Sequence, residues 1–179
     1  PDIAYTPDLF IDSVKGFMSE LDIAQATLIG NSLGAGVAMG MTLKYPHLTD
    51  KIILIGGFPQ GASEKAALMA YRIFLRFKPS FLLRIGFSLS GKSFLRSTLK
   101  NLVVDKSLIT DDVTDRAYRF RTFAGSAHVL FSTRNNIQRW ENHYAPRISE
   151  ITTPTLIMWG TRDPLFPLPV GEELHQQIP

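Results

Sequence analysis

The sequence predicts an α/β fold in which parallel strands form a sheet with helices on both faces. Helical and strand patterns alternate over residues 6–57, and a strand pattern returns near the C-terminus. The strand patterns are continuous apolar runs, which are typical of parallel strands covered on both faces. A stretch without strand patterns separates them. We therefore predict two core parts, residues 1–57 and 151–179, and an all-helical segment over residues 58–150.

The composition is that of a globular protein with a basic middle. The chain has 179 residues, 45% hydrophobic and 20% charged, which is enough for one domain. Its lack of cysteine excludes a disulfide framework, a thiolate metal site and a cysteine nucleophile. Residues 58–150 hold 15 Lys and Arg against 7 Asp and Glu, in a chain of net charge +3. This segment either attracts anionic substrates or surfaces, or is a solvated helical face.

The first helix begins after Thr6, a residue type that caps helix N-termini. Pro7 and Asp8 suit the first turn, and apolar residues then recur at helical spacing to Leu21. Residues 22–25 connect this amphipathic helix to the first strand.

A short strand, Thr27–Ile29, leads directly into a helix over Leu33–Tyr45, which ends before a proline. A strand that turns at once into a helix strains the residue between them. We expect this residue to be Ser32, with its hydroxyl presented over the sheet edge. The crowded turn favours glycine on both sides, at Gly30 and Gly34.

The helix start adds an anion-binding group to the same turn. The first N–H groups of a helix have no intrahelical partner, so the N–H of Leu33 is a candidate donor to an oxyanion. The alternative interpretation is a tight turn in which Ser32 only caps the helix.

A second buried strand is predicted over Lys51–Gly57, and no strand pattern follows until residue 151. Apolar residues at helical spacing instead predict a series of helices. These are Ser63–Lys78, Phe81–Leu89, Phe94–Val103, Asp111–Phe123 and Ser126–Trp140.

The third strand, Thr155–Trp159, ends in a loop that carries Asp163. A carboxylate just past the carboxyl end of a buried strand stands where open α/β sheets place functional groups. The alternative is that Asp163 only shapes the turn with the proline that follows it. A final helix is predicted over Val170–Gln177.

These motifs, in this order, resemble the α/β-hydrolase superfamily along the whole chain. Gly30-Asn31-Ser32-Leu33-Gly34 is similar to its nucleophile elbow, and residues 153–163 are similar to the strand and loop that carry its triad acid. The resemblance implies a partial hydrolase core, with Ser32 as nucleophile, Asp163 as acid, the Leu33 N–H in the oxyanion hole and residues 58–150 as a lid. It implies no metal or other cofactor.

The resemblance also implies a triad histidine well beyond the acid, but the sequence ends 16 residues after Asp163. We interpret the chain as an internal piece of a longer enzyme and expect it to be inactive alone. None of its own histidines suits the role of base. We expect a surface turn residue at His47, packed or solvent-facing residues at His128 and His143, and a helical residue at His175.

Two features resemble the hydrolases that cleave carbon–carbon bonds in ring-fission products. Asn31 precedes the serine, and a helix that begins after Thr110 carries Arg116 and Arg119. The resemblance implies that one of these arginines helps to hold an anionic substrate; the alternative is a solvated arginine.

The sequence therefore favours a serine hydrolase acting on a carboxylic ester or related acyl compound. A carbon–carbon bond hydrolase and a non-catalytic ligand-binding protein are the alternatives. A further hypothesis is peripheral contact with a membrane through the basic and aromatic segment Ala66–Leu89. We expect a small-molecule substrate, no nucleic acid partner and a cytoplasmic location, and the oligomeric state stays open.

Overall fold

The computed structural model describes residues 3–179, apart from the side chain of Ser63. It contains a three-stranded parallel sheet in the order β1-β2-β3, formed by β1 (Ala26–Asn31), β2 (Thr49–Ile55) and β3 (Thr155–Met158). The helices are α1 (Pro7–Glu20), α2 (Leu33–Lys44), α3 (Ala62–Lys65), α4 (Met69–Arg76), α5 (Ser80–Leu89), α6 (Lys92–Lys100), α7 (Asp111–Thr122), α8 (Ser126–His143) and α9 (Leu168–Gln177), with short 3₁₀ turns at Pro46–Leu48, Lys106–Leu108 and Ala145–Glu150. The α/β class and all three predicted strands are confirmed.

The start of α1 follows the sequence signals closely. Thr6 has extended backbone and its Oγ1 accepts a hydrogen bond from the Leu9 N–H at 3.2 Å. This bond satisfies one of the free donors of the first turn. The N-terminus of α1 is therefore fixed by local chemistry, as the sequence predicts.

The core lies on one face of the sheet. Ile52 and Leu54 of β2 are fully buried there against Met39 of α2, and α1 adds Ile11. Burial of each side chain of this size stabilises the folded state by about 1.5–3 kcal/mol. The packing of α1 and α2 on this face fixes where β1 ends and α2 begins.

The described helices flank the sheet as predicted, but they cover one of its faces, and the other face is open in residues 3–179. Ile29 of β1 and Leu156 and Met158 of β3 are exposed on it. Neighbours in a parallel register share a face, so these side chains form one apolar surface. Continuous apolar runs predict two buried faces, but the described helices cover one.

Between β2 and β3 the structure has helices and turns and no strand within the described residues, as predicted. The predicted helix Ser63–Lys78, however, is interrupted between α3 and α4. The N–H of Ala67 donates to the carbonyl of Leu165, in the loop after β3, at 2.7 Å. This long-range bond takes a backbone donor that a continuous helix would use, so the helix breaks there.

Two arginines hold the helical segment together by binding helix C-termini. Arg134 of α8, only 5% exposed, donates to the carbonyls of Phe74 and Phe77 at the end of α4. Arg121 of α7 donates to the carbonyl of Ser90, at the end of α5, at 2.7 Å. The carbonyls at a helix C-terminus carry partial negative charge and lack intrahelical partners. Burial lowers the pKa of Arg134, which nevertheless stays far above neutrality.

Candidate active site

The candidate site is built on the turn from β1 to α2. Ser32 has φ 52° and ψ −118°, a conformation that non-glycine residues rarely adopt. Its N–H donates to the carbonyl of Ile55 at 3.0 Å, and its carbonyl accepts from the Ala35 N–H at 2.9 Å. The end of β2 and the first turn of α2 therefore both hold Ser32 in this strained conformation.

Close approach of the two sides of the turn explains one of the two glycines. A Cβ at Gly30 would lie 2.2 Å from the carbonyl oxygen of Gly34, so only glycine fits there. The prediction for Gly34 is wrong within the described residues, because a Cβ at that position would meet no atom within 4 Å outside its chain neighbours and the backbone of α2. The turn is crowded at Gly30 because the backbone of Gly34 approaches it. The side of Gly34 on which a Cβ would stand faces away from this contact and is open.

The first turn of α2 leaves backbone donors beside Ser32. The N–H groups of Ala35 and Gly36 both bond the carbonyl of Ser32. The N–H groups of Leu33 and Gly34 have no hydrogen-bond acceptor in the described part of the chain. Donors of this kind at a helix N-terminus suit an anion, with the Leu33 N–H next to the serine.

Asp163 follows β3, and its two carboxylate oxygens have different surroundings. Oδ1 accepts from the N–H groups of Leu165 at 2.7 Å and Phe166 at 2.9 Å, which fixes the orientation of the carboxylate. Oδ2 accepts no hydrogen bond from residues 3–179. Oδ1 of the carboxylate thus stabilises the turn, and Oδ2 is available to accept a hydrogen bond from another group.

Gly56 lies next to Asp163 and to Asn31, the residue that precedes Ser32. It follows β2 with φ +53°, and a Cβ built on it would lie 3.7 Å from Asp163 Oδ2 and 3.8 Å from Asn31 Nδ2. Asn31 in turn donates to the carbonyl of Ile55 at 3.1 Å and directly precedes Ser32. The parallel register therefore brings Ser32 and Asp163 to the same carboxyl edge of the sheet.

The sequence reasoning did not single out Gly56 or Asn31 as supports of this edge. The signal for Gly56 was the glycine pair that ends the second strand. The positive φ favours glycine there, whereas a Cβ would lie only at ordinary contact distance from Asp163 Oδ2.

The histidines lie in the elements in which the sequence places them. His47 is exposed in the turn before β2, and His175 is exposed on α9 beside the first residue of β3, at the opposite end of the sheet. His143 is exposed at the end of α8. His128 contacts the carbonyl of Ile3 through Nε2 at 2.9 Å.

The two arginines predicted to bind substrate lie on α7, on the surface of the described structure. Arg116 pairs with Asp112 one turn earlier at 2.8 Å, and both side chains are largely exposed. Arg119 is exposed as well. Neither is hydrogen-bonded to Ser32 or Asp163 in residues 3–179, so their assignment stays a prediction.

A small apolar cavity lies beside the turn, between α2 and α8. Its volume is about 20 Å³, close to the space that one water molecule needs. Leu33 and Val37 line it from α2, and Ile137 and Trp140 from α8. As it stands, the space next to Leu33 holds no more than a water molecule.

The structure has no membrane-crossing helix or metal cluster in its described part. No helix in residues 3–179 is both long and apolar enough to cross a bilayer. Groups of three or more His, Asp or Glu side chains that could hold a metal ion are also missing from residues 3–179.

Comparison with known proteins shows the family to which this fold belongs. The family model described as alpha/beta hydrolase fold matches residues 3–179. A 2-hydroxy-6-oxononadienedioate/2-hydroxy-6-oxononatrienedioate hydrolase of Comamonas testosteroni is 32% identical over 171 residues, covering 93% of this chain and 56% of the relative. A 2-hydroxy-6-oxo-6-phenylhexa-2,4-dienoate hydrolase of Burkholderia cepacia is 30% identical over 175 residues, with the same two coverages of 93% and 56%.

Solved structures show the same fold. A meta-cleavage product hydrolase from Pseudomonas fluorescens IP01 matches with a TM-score of 0.72 and 24% identity, covering 99% of this chain and 61% of that one. An esterase from Exiguobacterium antarcticum matches with a TM-score of 0.69 and 19% identity, covering 99% and 64%. The chain spans a little over half the length of the curated relatives it matches. The family model covers nearly the whole chain, and the chain belongs to the α/β-hydrolase fold family.

Proposed function

We propose that the protein hydrolyses a carbon–carbon bond in a ring-fission product, with Ser32 as the nucleophile. One observation carries this proposal: Ser32 is held at φ 52° at the carboxyl edge where the free oxygen of Asp163 also lies. Several relatives with 30–32% identity are named as hydrolases of 2-hydroxy-6-oxo dienoates. They support the carbon–carbon bond hydrolase over the ester hydrolase that the sequence alone favours.

The names of these substrates describe a ketone at carbon 6 and a carboxylate at carbon 1. Ser32 Oγ adds to the ketone carbon as its proton passes to a base, and the carbonyl oxygen becomes an oxyanion. Collapse of this adduct breaks the bond between carbons 5 and 6. For this bond to break, the substrate reacts as its 2-keto tautomer, in which carbon 5 is saturated and carbons 3 and 4 share the double bond. The electron pair then passes through that double bond to the oxygen on carbon 2, which takes up the proton. Water then hydrolyses the acyl group from Ser32 and releases a carboxylic acid.

The N–H of Leu33 stabilises the oxyanion in this proposal, because it adjoins Ser32 and has no acceptor within residues 3–179. One donor of this kind contributes about 10²–10³ in rate. Asp163 orients the base through Oδ2, since two backbone N–H groups already hold Oδ1. We assign the base to a histidine outside residues 1–179, as the resemblance to the α/β-hydrolases implies.

The substrate carboxylate needs a cation, and Arg116 or Arg119 on α7 can supply it. The pair of Arg116 with Asp112 is exposed, so breaking it costs about 0–1 kcal/mol. In this proposal residues 58–150 act as a lid that brings α7 over the turn when substrate binds. In this proposal the lid also moves to make room for the substrate, because the cavity beside Leu33 has a volume of about 20 Å³.

The test compares two substrates with the full-length protein. We expect 2-hydroxy-6-oxo-6-phenylhexa-2,4-dienoate to be hydrolysed with kcat/KM at least about 10²-fold above that for p-nitrophenyl acetate, because only the dienoate offers a carboxylate for an arginine. Loss of the dienoate absorbance measures the first reaction and release of nitrophenol the second. A preference for the ester would contradict the proposal in favour of an ester hydrolase. Inactivity on both would favour the non-catalytic ligand-binding alternative.

A further inference from the structure

Residues 66–104 form a basic stretch without a single acidic residue. It contains seven basic side chains, Arg72, Arg76, Lys78, Arg84, Lys92, Arg96 and Lys100, and Asp105 is the first acid after it. In the structure this stretch comprises α4, α5 and α6. Lys92 and Arg96 of α6 pair with Asp115 and Asp111 of α7, so the positive charge that can attract an anionic partner over about 10 Å lies mainly on α4 and α5.

Apolar side chains of the same stretch point into solvent at helical spacing. On α4, Met69 and Ile73 are exposed one turn apart. On α5, Phe81, Ile85 and Leu89 are exposed at intervals of four residues. Residues four apart share one face of a helix, so each helix carries an outward apolar stripe.

These outward stripes are distinct from the faces that hold the helices in place. Tyr71 and Leu75 of α4 pack against the core, and the carbonyl of Phe74 accepts from the buried Arg134. The C-terminus of α5 is held in the same way by Arg121. The outward stripes can therefore meet a partner without loss of the contacts that fix α4 and α5.

Basic side chains flank the stripes. Lys78, between α4 and α5, is exposed and has no ion-pair partner among residues 3–179. Arg76 is exposed and makes one pair, to Glu64 at 3.3 Å. Arg84 is exposed with its guanidinium 5.7 Å from the ring centroid of Phe131. Exposed Phe and Leu bordered by Lys and Arg are the pattern of helices that lie in a membrane interface.

We propose that α4 and α5 dock on an anionic lipid surface. The apolar stripes enter the boundary between headgroups and acyl chains, and Arg76, Lys78 and Arg84 contact lipid phosphates. A nucleic acid would satisfy the charge but not five exposed apolar side chains, so lipid is the partner that matches both features. This inference is independent of the reaction proposed for Ser32.

Co-sedimentation of the full-length protein with vesicles tests the proposal. We expect binding to phosphatidylcholine vesicles that contain phosphatidylglycerol, and much weaker binding to phosphatidylcholine alone. Phe81→Ala should weaken binding by about tenfold, because it removes apolar area from the interface. Lys78→Ala should weaken it by about fivefold, the usual effect of one basic residue near an anionic surface.

Two control variants on α1 match these changes. Phe17 is 62% exposed against 57% for Phe81, and Lys15 is exposed like Lys78. Phe17→Ala and Lys15→Ala should leave binding unchanged, and thermal melts should show that all four variants are folded. Equal weakening by both members of a pair, or equal binding to neutral and anionic vesicles, would overturn the proposal.

A fluorescent label separates lipid from the other candidates for covering this face. Residues 1–179 contain no cysteine, so Leu89→Cys gives one labelling site in a full-length protein freed of other cysteines. A polarity-sensitive fluorophore there should shift to the blue on addition of anionic vesicles, and one at Phe17→Cys should not. A site that resists labelling before vesicles are added would mean that another part of the protein covers the stripe. A blue shift that follows protein concentration without lipid would mean a second copy; either result overturns the proposal.

Discussion

Replacement of Gly30 by alanine tests whether the strained turn is what presents Ser32. The added Cβ would lie 2.2 Å from the Gly34 carbonyl oxygen and 2.6 Å from the Ala35 nitrogen. Both are backbone atoms, so no side chain can rotate to make room. The start of α2 must move by roughly 1 Å, which typically costs about 10²-fold in rate when it displaces a reacting group. Overpacking of this kind also costs about 1–3 kcal/mol of stability.

Gly34→Ala is the matched control, because a Cβ there meets no atom within 4 Å outside its chain neighbours and the backbone of α2. Gly34 lies in the first turn of α2, where alanine is the better helix former by up to about 1 kcal/mol. We expect the activity of the full-length Gly34→Ala variant to be within a few fold of wild type. Dienoate hydrolysis and urea unfolding give the two readouts. Equal activity of Gly30→Ala and wild type, or equal damage by the two variants, would refute the role of crowding in presenting Ser32.

Three further predictions concern the acid, the substrate cation and the packing of α1. Asp163→Asn should keep the fold but lower kcat by about 10⁴-fold, and near-normal turnover would mean that another carboxylate serves. Either Arg116→Gln or Arg119→Gln should raise KM for the dienoate by about tenfold or more, with no effect on p-nitrophenyl acetate; parallel effects on both substrates would contradict carboxylate binding. Tyr144→Phe should cost about 1 kcal/mol near neutral pH, because the buried Tyr144 hydroxyl donates to Asp8 Oδ1 at 2.6 Å. This bond and Lys44 lower the pKa of Asp8 below its ordinary value of 3.8, so the difference in unfolding free energy from wild type should shrink as pH falls through that lowered pKa. A difference that stays constant from neutral pH to well below 3.8 would contradict this prediction.

Features fixed by neighbouring residues could be predicted from the sequence. The cap by Thr6, the tight contact at Gly30 and the positive φ of Ser32 all follow from spacings of a few residues. Asp163 was also placed correctly at the carboxyl edge, because the ends of parallel strands meet there.

Features that depend on long-range contacts could not be predicted in this way. The helix expected over Ser63–Lys78 breaks because Ala67 bonds Leu165, nearly one hundred positions later in the chain. Arg134 is buried because it binds the carbonyls at the end of α4, and no pattern of neighbouring residues predicts this contact. The role of Gly56 beside Asp163 required the register between β2 and β3.

The central claim is that Ser32 attacks the substrate, and Ser32→Ala in the full-length protein tests it most directly. Hydrolysis of 2-hydroxy-6-oxo-6-phenylhexa-2,4-dienoate should fall by several orders of magnitude, because the members of a triad act as a unit. Labelling by a fluorophosphonate probe should disappear in the same variant, and its thermal melt should match that of wild type. A variant that still takes the label, or that still cleaves the dienoate at a near-normal rate, would contradict the assignment of Ser32.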